Sequence, residues 1–294
     1  MKTIIAPTDF SDNATNAVRY AAALAHQVKA KLVIVHIINL PSTPIEYGTP
    51  FLPCVQLEEG YAQELNRLSK GLQLSHGFGL EIETDCQYGH FLANLNETVK
   101  AKAADLVVMG TKGVTNFLDK LMGTNTSLFI RMMACPVLAI PSDAVFSGIR
   151  NIAYASGFDC GETIPLQRLF RIAEPLQAEV SIINVQTESQ SNIFCDNHVI
   201  RDIAKNFPDK DLSIAQIQGK DIVGGLHQFM QDKQAEVLAV SIHMRSFFES
   251  LFHRSISGQL IASPSLPLLA LPDKPYRKLY LKAKTEEIIL EPAE

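Results

Sequence analysis

The chain repeats itself, and this repeat limits its possible folds more than any other feature of the sequence. Residues 2–37 align with residues 150–185 without a gap, and residues 104–141 align in the same way with residues 235–272. The second copy is shorter in the middle, mainly after its second predicted strand. Such self-similarity indicates that one structural unit is built twice along the chain.

Strand-like apolar runs alternate with helical patterns inside each copy. This alternation predicts right-handed crossovers and a parallel sheet. The predicted fold class is therefore α/β, with two tandem open parallel five-stranded sheets that carry helices on both faces in a Rossmann-like arrangement. In the first copy we expect strands at 2–7, 31–38, 80–88, 107–109 and 137–140, helices after Ser11, at 58–74, at 91–103 and after Gly123, and a long loop at 41–53.

The repeat also predicts where the domains begin and end. We expect one domain at residues 1–143 and a second at residues 148–272, joined by a short linker. Residues 273–294 form a charged tail whose role the sequence does not define. The last strands of the two copies, Val137–Ile140 and Leu268–Leu271, are candidates for an internal pseudo-dimer, because pairing them would cover exposed strand edges.

Composition excludes several classes of protein. The 294 residues are 47% hydrophobic, which is ample for two cores, and the formal net charge of −5 does not suggest a nucleic-acid-binding surface. No apolar run approaches the roughly 20 residues of a membrane span, and no signal peptide precedes the first strand. The five cysteines include no CxxC pair. We therefore expect a cytoplasmic protein with reduced thiols.

A glycine-rich loop follows the fourth predicted strand of the first copy. Gly110 ends the strand, Gly113 follows after two residues, and Gly123 after nine more. Glycine permits a positive φ and places no Cβ between the backbone and a ligand. The alternative is an ordinary strand-to-helix turn in which the glycines serve packing, since such turns are common in α/β folds.

The residues after this loop open a helix. Thr124, Asn125 and Thr126 would lie in its first turn, where backbone N–H groups have no intrahelical partner. These groups and the helix dipole favour an anion, typically a phosphate. Thr124 as a simple N-cap is the structural alternative.

These motifs together resemble the ATP-binding branch of the universal stress protein family. The loop spacing matches that family's nucleotide loop, residues 4–11 resemble its first strand with an acidic end, and residues 33–37 resemble its second strand. The step from Cys135-Pro136 into the last strand is also similar. The resemblance covers residues 1–141 well and the rest more weakly. It implies an adenine nucleotide, ATP or a related one, with or without magnesium.

The resemblance assigns roles to particular residues. Asp9 would bond the adenosine, although it could instead be a turn residue that caps the next helix. Ile37 would lie against the adenine, and Gly110 and Gly113 would approach the ribose and phosphates. Lys112 would neutralise charge, unless it is simply a solvated loop lysine. The complete predicted site is Thr8, Asp9, Ile37, Met109, Gly110, Lys112, Gly113, Gly123, Thr124, Asn125 and Thr126.

The second copy has lost most of this pattern. A Cβ at the former glycine positions would strain a positive φ or obstruct a phosphate. We therefore expect one nucleotide site, in the first copy, and a degenerate second copy. The replacements are Gly157 for the acid, Ser241, Met244 and Arg254 for the three glycines, and Ser255 for the threonine.

Other candidate sites are weaker. His36 lies at the end of an apolar strand and is expected to be a core or ligand-edge histidine rather than a catalytic one. Cys195 and His198, with His243 and His253, could be argued into a zinc site, but the spacing matches no strong zinc signature. We therefore expect no catalytic and no metal-binding residues.

Three functions are compatible with these residues. The leading hypothesis is a stress-response sensor or regulator, in which nucleotide occupancy changes the surface offered to an unknown protein partner. A slow ATPase is the second, although no general base and no acidic pair for magnesium is evident beyond Asp9. The third is a ligand-free interaction module, against which the intact glycine loop argues. A homodimer is compatible with each of them.

Overall fold

A computed structural model describes residues 1–39, 52–77, 79–111, 124–132, 135–158, 162–187, 196–210, 212–242 and 266–273. The chain divides into two compact units, the first built mainly from residues up to Phe146 and the second mainly from Ser147 onward. Both are α/β units with parallel strands, so the predicted fold class is confirmed. The limits predicted for the two domains, 1–143 and 148–272, stay predictions.

The first unit has five neighbouring strands in the order β3-β2-β1-β4-β5. β1 pairs in parallel with β2 and β4, and β2 pairs in parallel with β3. Because crossovers are right-handed, α1 and α2 lie on one face of the sheet and α3 and α4 on the other. The elements are β1 (Thr3–Pro7), α1 (Asp12–Val28), β2 (Lys31–Ile38), α2 (Leu52–His76), β3 (Ile82–Tyr88), α3 (Phe91–Ala101), β4 (Leu106–Gly110), α4 (Thr124–Met132) and β5 (Val137–Ile140).

The core of the first unit lies where α1 packs on the central strands. α1 buries a stripe of small residues, including Ala17, Ala21, Ala22 and Ala25. Small side chains let the helix backbone approach β1 and β4 closely, and both strands are buried along nearly their whole length. Strands buried on both faces are typical of parallel sheets covered by helices.

The second unit repeats this strand order. Its strands lie in the order β10-β9-β6-β7-β8, and every pair is parallel. Reading outward from the first strand of each unit, the neighbours correspond one to one. The elements are β6 (Asn151–Ala155), α5 (Thr163–Leu176), β7 (Glu179–Gln186), α6 (Asp196–Asn206), β8 (Ser213–Gln218), α7 (Ile222–Asp232), β9 (Val237–Ser241) and β10 (Leu268–Leu271).

Hydrogen bonds at the amino edge of the sheets follow the same correspondence. The Asp105 carboxylate accepts from the backbone N–H groups of Lys2 and Thr3 at 2.5 and 3.1 Å. Glu236 accepts from the two corresponding N–H groups of the second unit, at 3.1 and 2.7 Å. The two units therefore share the bonds that fix the start of their first strand as well as the strand order.

The largest difference from the predicted elements is at α2. This helix begins at Leu52 rather than at residue 58, so the predicted loop at 41–53 ends too late. Pro53 lies in the first helical turn, where the missing N–H is not needed and the fixed φ suits a helix. Among the described residues, the helices do not include one long and apolar enough to cross a membrane.

Candidate functional site

The predicted site lies at the carboxyl ends of β1, β2 and β4. These strands are neighbours, and β1 is the strand from which the order runs in both directions. In open α/β sheets, ligands bind outside the carboxyl ends of the strands at such a switch point. The fold therefore brings the predicted residues after β1, at the end of β2 and at the end of β4 to one edge.

The turn after β1 is fixed by Thr8. This residue is buried, and its N–H donates to the Val35 carbonyl at 2.8 Å. Its hydroxyl oxygen accepts from the Phe10 N–H at 3.0 Å. Phe10 has a φ of 62°, a left-handed conformation that is uncommon for a bulky residue. Thr8 therefore positions the turn through its hydroxyl oxygen.

Asp9 is exposed at the tip of this turn. Its Oδ1 accepts from the N–H and the hydroxyl of Ser11, at 3.0 and 2.6 Å. Ser11 in turn accepts from the Ala14 N–H and caps α1. The structural alternative for Asp9 is therefore present in the structure, while the carboxylate still faces solvent at the edge where the resemblance places the adenosine.

An aromatic cluster of Phe10, His36 and Tyr61 lies beside the turn. The ring centres of His36 and Tyr61 are 4.3 Å apart, and those of Phe10 and His36 are 4.8 Å apart. His36 is buried, and its Nδ1 lies 2.8 Å from the Thr8 carbonyl oxygen. Because a carbonyl only accepts, Nδ1 carries the hydrogen. His36 is thus a core histidine with a hydrogen-bond partner, as the sequence predicted, and Ile37 beside it is only half-buried.

Tyr61 was missed by sequence reasoning. It lies on α2, in the stretch of helix that the sequence did predict, but nothing in its local spacing shows that it faces β1 and β2. Contacts between residues on separate elements depend on packing and not on periodicity alone.

Gly110 ends β4 directly against α1. A Cβ built on it would lie 2.5 Å from the backbone oxygen of Asn13 and 2.8 Å from the backbone carbon. Such contacts do not occur in real structures, so only glycine allows this approach of helix and strand. At this position the packing alternative is therefore established in the structure. Met109, the preceding residue of the predicted site, is buried within the strand.

The first turn of α4 is tied to the same point. Thr126 is only 3% exposed, and its hydroxyl donates to the Gly110 carbonyl at 3.0 Å. Asn125 is exposed, and Thr124 is the first residue of the helix. Lys112, Gly113 and Gly123 lie outside the described residues, as does the side chain of Thr124.

The second unit builds the same turn from different residues. The Ser156 hydroxyl oxygen accepts from the Phe158 N–H at 3.0 Å, and Phe158 has a φ of 52°. The Asn184 amide donates to the Ser156 carbonyl at 2.9 Å. These three residues align with Thr8, Phe10 and His36, so the backbone arrangement is shared although two of the side chains differ.

A buried polar network occupies the equivalent edge of the second unit. Glu162 is 7% exposed and accepts from the hydroxyls of Tyr154 and Ser156, the latter at 2.6 Å. Burial, with the neighbouring Glu162 charge next in importance, raises the pKa of Tyr154 well above its usual range, although a hydrogen bond with Ser241 opposes this shift. The aligned positions of the first unit hold Ala6, Ala14 and Gly110 in place of Tyr154, Glu162 and Ser241.

The described residues contain no group of three potential metal ligands. Of the residues considered for zinc, His198 is exposed and pairs with Asp202 at 3.2 Å. Cys195, His243 and His253 lie outside the part of the chain that the structure describes.

Comparisons with known proteins agree on one family. The sequence model of the Universal stress protein family matches residues 1–141. A universal stress protein of Methanocaldococcus jannaschii is 30% identical over 142 residues, which are 47% of this chain and 81% of that protein. Universal stress protein A homolog 1 of Coxiella burnetii is 29% identical over 146 residues, which are 47% of this chain and 95% of that protein.

A solved structure extends the similarity of fold to both units. The crystal structure of a universal stress protein from Archaeoglobus fulgidus covers 92% of this chain and 98% of its own, with a TM-score of 0.66 and 13% sequence identity. Since identity at this level shows only the fold, membership rests on the first half of the sequence. On that basis, the chain belongs to the universal stress protein family.

Proposed function

We propose that the first unit binds ATP or a related adenine nucleotide at the carboxyl edge between β1 and β4, and that the protein acts as a cytoplasmic stress-response sensor or regulator. The observation that carries this proposal is the asymmetry between the copies. Asp9, Gly110, Gly113 and Gly123 are present only in the first, and the second has larger side chains at all three glycine positions.

The described geometry supports this placement. Asp9 and Asn125 are exposed at the edge, and Ile37 keeps part of its apolar surface accessible. Ala6, Ala14 and Gly110 carry no atom beyond Cβ where the second unit has a buried polar network. The first unit therefore has less side-chain volume at the edge where ligands bind in this class of sheet.

Thr8 fixes the turn after β1 and Met109 is buried in β4, and the other predicted residues contact the nucleotide in this proposal. Asp9 accepts from a ribose hydroxyl through its exposed carboxylate, and Ile37 packs against the adenine. The glycine loop with Lys112 and the first turn of α4 binds the phosphates. Thr126 contributes its backbone N–H, because its hydroxyl already donates to Gly110. We propose no catalytic residue. Nucleotide binding changes the surface offered to a protein partner only if the nucleotide favours one conformation of the protein.

The decisive test uses matched substitutions in the two copies. ATP is titrated into the full chain by calorimetry, with and without magnesium, while phosphate release is followed. Gly123→Arg should weaken binding at least a hundredfold, because the new side chain obstructs the phosphates. Arg254→Gly should leave it unchanged. Equal effects of the two substitutions, or no binding to the wild type, would contradict the proposal and leave the interaction module.

Asp9 needs a control that preserves its turn. Asp9→Asn keeps an acceptor for the two bonds from Ser11, whereas Asp9→Ala removes it. We expect each to weaken ATP binding about tenfold, which is the loss of one hydrogen bond to a charged group. Steady phosphate release by the wild type that disappears in Asp9→Ala would instead favour the slow ATPase.

A further inference from the structure

A groove separate from the proposed nucleotide edge runs between α1 and α2 of the first unit. It encloses a cavity of about 680 Å³. Its apolar lining includes Phe10, Leu68, Leu72 and Phe146, and none of the predicted nucleotide-binding residues that the structure describes lines it. The volume falls within the roughly 300–1,000 Å³ typical of small-molecule sites.

The wall of this groove is held in place by direct bonds. The Asn16 amide donates to the carbonyls of Pro141 and Ala144, at 3.1 and 3.0 Å. The Phe146 ring packs edge-on against Tyr20, with ring centres 4.9 Å apart at 87°. The segment after β5 is therefore anchored to α1, and the groove exists without a ligand.

The rim carries two guanidinium groups. Arg19 lies on α1 and Arg67 on α2, while Glu64 is the single acidic residue among the described residues of the lining. In the described part of the chain, neither arginine forms an ion pair. These two guanidinium groups lie beside the apolar lining, and guanidinium groups match a carboxylate or phosphate geometrically.

Gly71 keeps this groove open. It lies inside α2, where a glycine costs about 1 kcal/mol of stability relative to alanine. A Cβ built on it meets no atom within 4 Å, so no backbone contact requires the glycine. Because Gly71 lines the cavity, a side chain at this position would enter the space instead.

From these observations we propose that the groove binds an amphipathic anion, a small molecule with an alkyl or aromatic body and one carboxylate. The body occupies the apolar cavity beside Leu68 and Leu72. The carboxylate accepts hydrogen bonds from the guanidinium groups of Arg19 and Arg67. This binding does not depend on the nucleotide proposal, because it uses none of the described residues of that site.

The test measures displacement of the fluorescent anion 1-anilinonaphthalene-8-sulfonate from the full chain by decanoate. Gly71→Leu should raise the Kd of both probes at least tenfold by filling the groove. Gly60→Leu is the matched control, since Gly60 lies on the same helix, also has no atom within 4 Å of a built Cβ, and does not line the cavity. This control should bind as the wild type does.

Charge recognition is tested with a neutral competitor. Wild-type protein should bind decanoate about tenfold more tightly than decanol, a preference worth one charged hydrogen bond. Arg19→Gln combined with Arg67→Gln should remove that preference without preventing decanol from binding. The proposal is wrong if the two glycine variants bind decanoate equally, or if the wild type binds decanol as tightly as decanoate. It is also wrong if decanoate does not displace the dye, or if ATP does.

Discussion

The turn after the first strand is the same in both units, but the residues packed beside it differ. In the first unit they are alanine or glycine at three positions. In the second unit they are Tyr154, Glu162 and Ser241, which with Ser156 form a buried polar network. The two units share the hydrogen bonds that fix the backbone of this turn. They differ in the side chains that pack beside it.

This difference shows which features the fold requires. In both units a hydroxyl oxygen after the first strand accepts from the N–H of a phenylalanine with positive φ, and it belongs to threonine in one unit and to serine in the other. Of the small residues beside it, Gly110 is required by the close approach of α1, whereas Ala6 and Ala14 align with larger residues in the second unit. We therefore interpret Ala6 and Ala14 as residues that leave room for a ligand, and the network of the second unit as an internal substitute for one.

The largest effect should come from breaking the network of the second unit. Glu162→Ala would leave two buried hydroxyl donors without their acceptor, at a cost of about 3 kcal/mol in the free energy of unfolding. Glu162→Gln keeps one acceptor oxygen and should cost clearly less. Urea unfolding of both variants measures the difference. Equal stability of the alanine variant and wild type would show that the network does not stabilise this unit.

A somewhat smaller effect is expected from adding one carbon to the first unit. Gly110→Ala would place its Cβ against the backbone of Asn13 and force α1 away from β4, costing about 2 kcal/mol. Ser241→Ala is the matched change in the second unit, where the backbone already accepts a Cβ, and should cost about 1 kcal/mol or less through one lost hydrogen bond. The reverse order of the two costs in urea unfolding would contradict the close approach at Gly110.

Alkaline pH should lower the stability of the second unit through Tyr154, whose place in the first unit is taken by an alanine. The pKa of Tyr154 is raised in the folded state above its ordinary value of 10.0, chiefly by burial. The stabilisation is therefore fully present below pH 10 and is lost as pH rises from there toward the folded pKa, by about 1.4 kcal/mol per pH unit. Tyr154→Phe should lack this part of the alkaline loss in stability. Parallel pH profiles for variant and wild type would contradict the prediction.

The smallest effect concerns an ion-pair network at the amino edge of the first unit. Glu83 pairs with Lys102 and, at 3.0 Å, with Lys31, and these bonds lower its pKa. The strand register puts Ser213 at the matching place in the second unit. Glu83→Ser should cost about 0.5 kcal/mol at neutral pH in low salt, because these side chains are about a third exposed.

This cost should shrink in two conditions. It falls in 1 M salt, which screens exposed charges. It also falls as the pH drops below 4.5, the ordinary pKa of glutamate, because the lowered pKa stabilises the folded state only above that range. A cost that persists in both conditions would mean that packing, and not charge, accounts for the effect.

Much of the fold could be predicted because local pattern and repeat agree. The limits of β2 and β5 match the predicted strands, and the gapless alignment anticipates the correspondence between His36 and Asn184. α2 was predicted too short because proline was read as a loop residue, although the first turn of a helix accepts it.

The candidate site was less accessible to sequence reasoning. The spacing of Gly110 identified a special position but could not distinguish a ligand from α1 as its neighbour, since both require the absence of a Cβ. Thr126 was predicted to help bind a phosphate, yet its hydroxyl donates to Gly110 in the structure. The burial of Glu162 could not be predicted from the sequence, because its alignment with an alanine does not show which groups surround it.

The bond between His36 and the Thr8 carbonyl has a consequence for which side chains can support this bend. The second unit makes the corresponding bond from the Asn184 amide to the Ser156 carbonyl. The two halves of the molecule therefore share a side-chain N–H donor at this place, and an imidazole and a carboxamide supply it interchangeably.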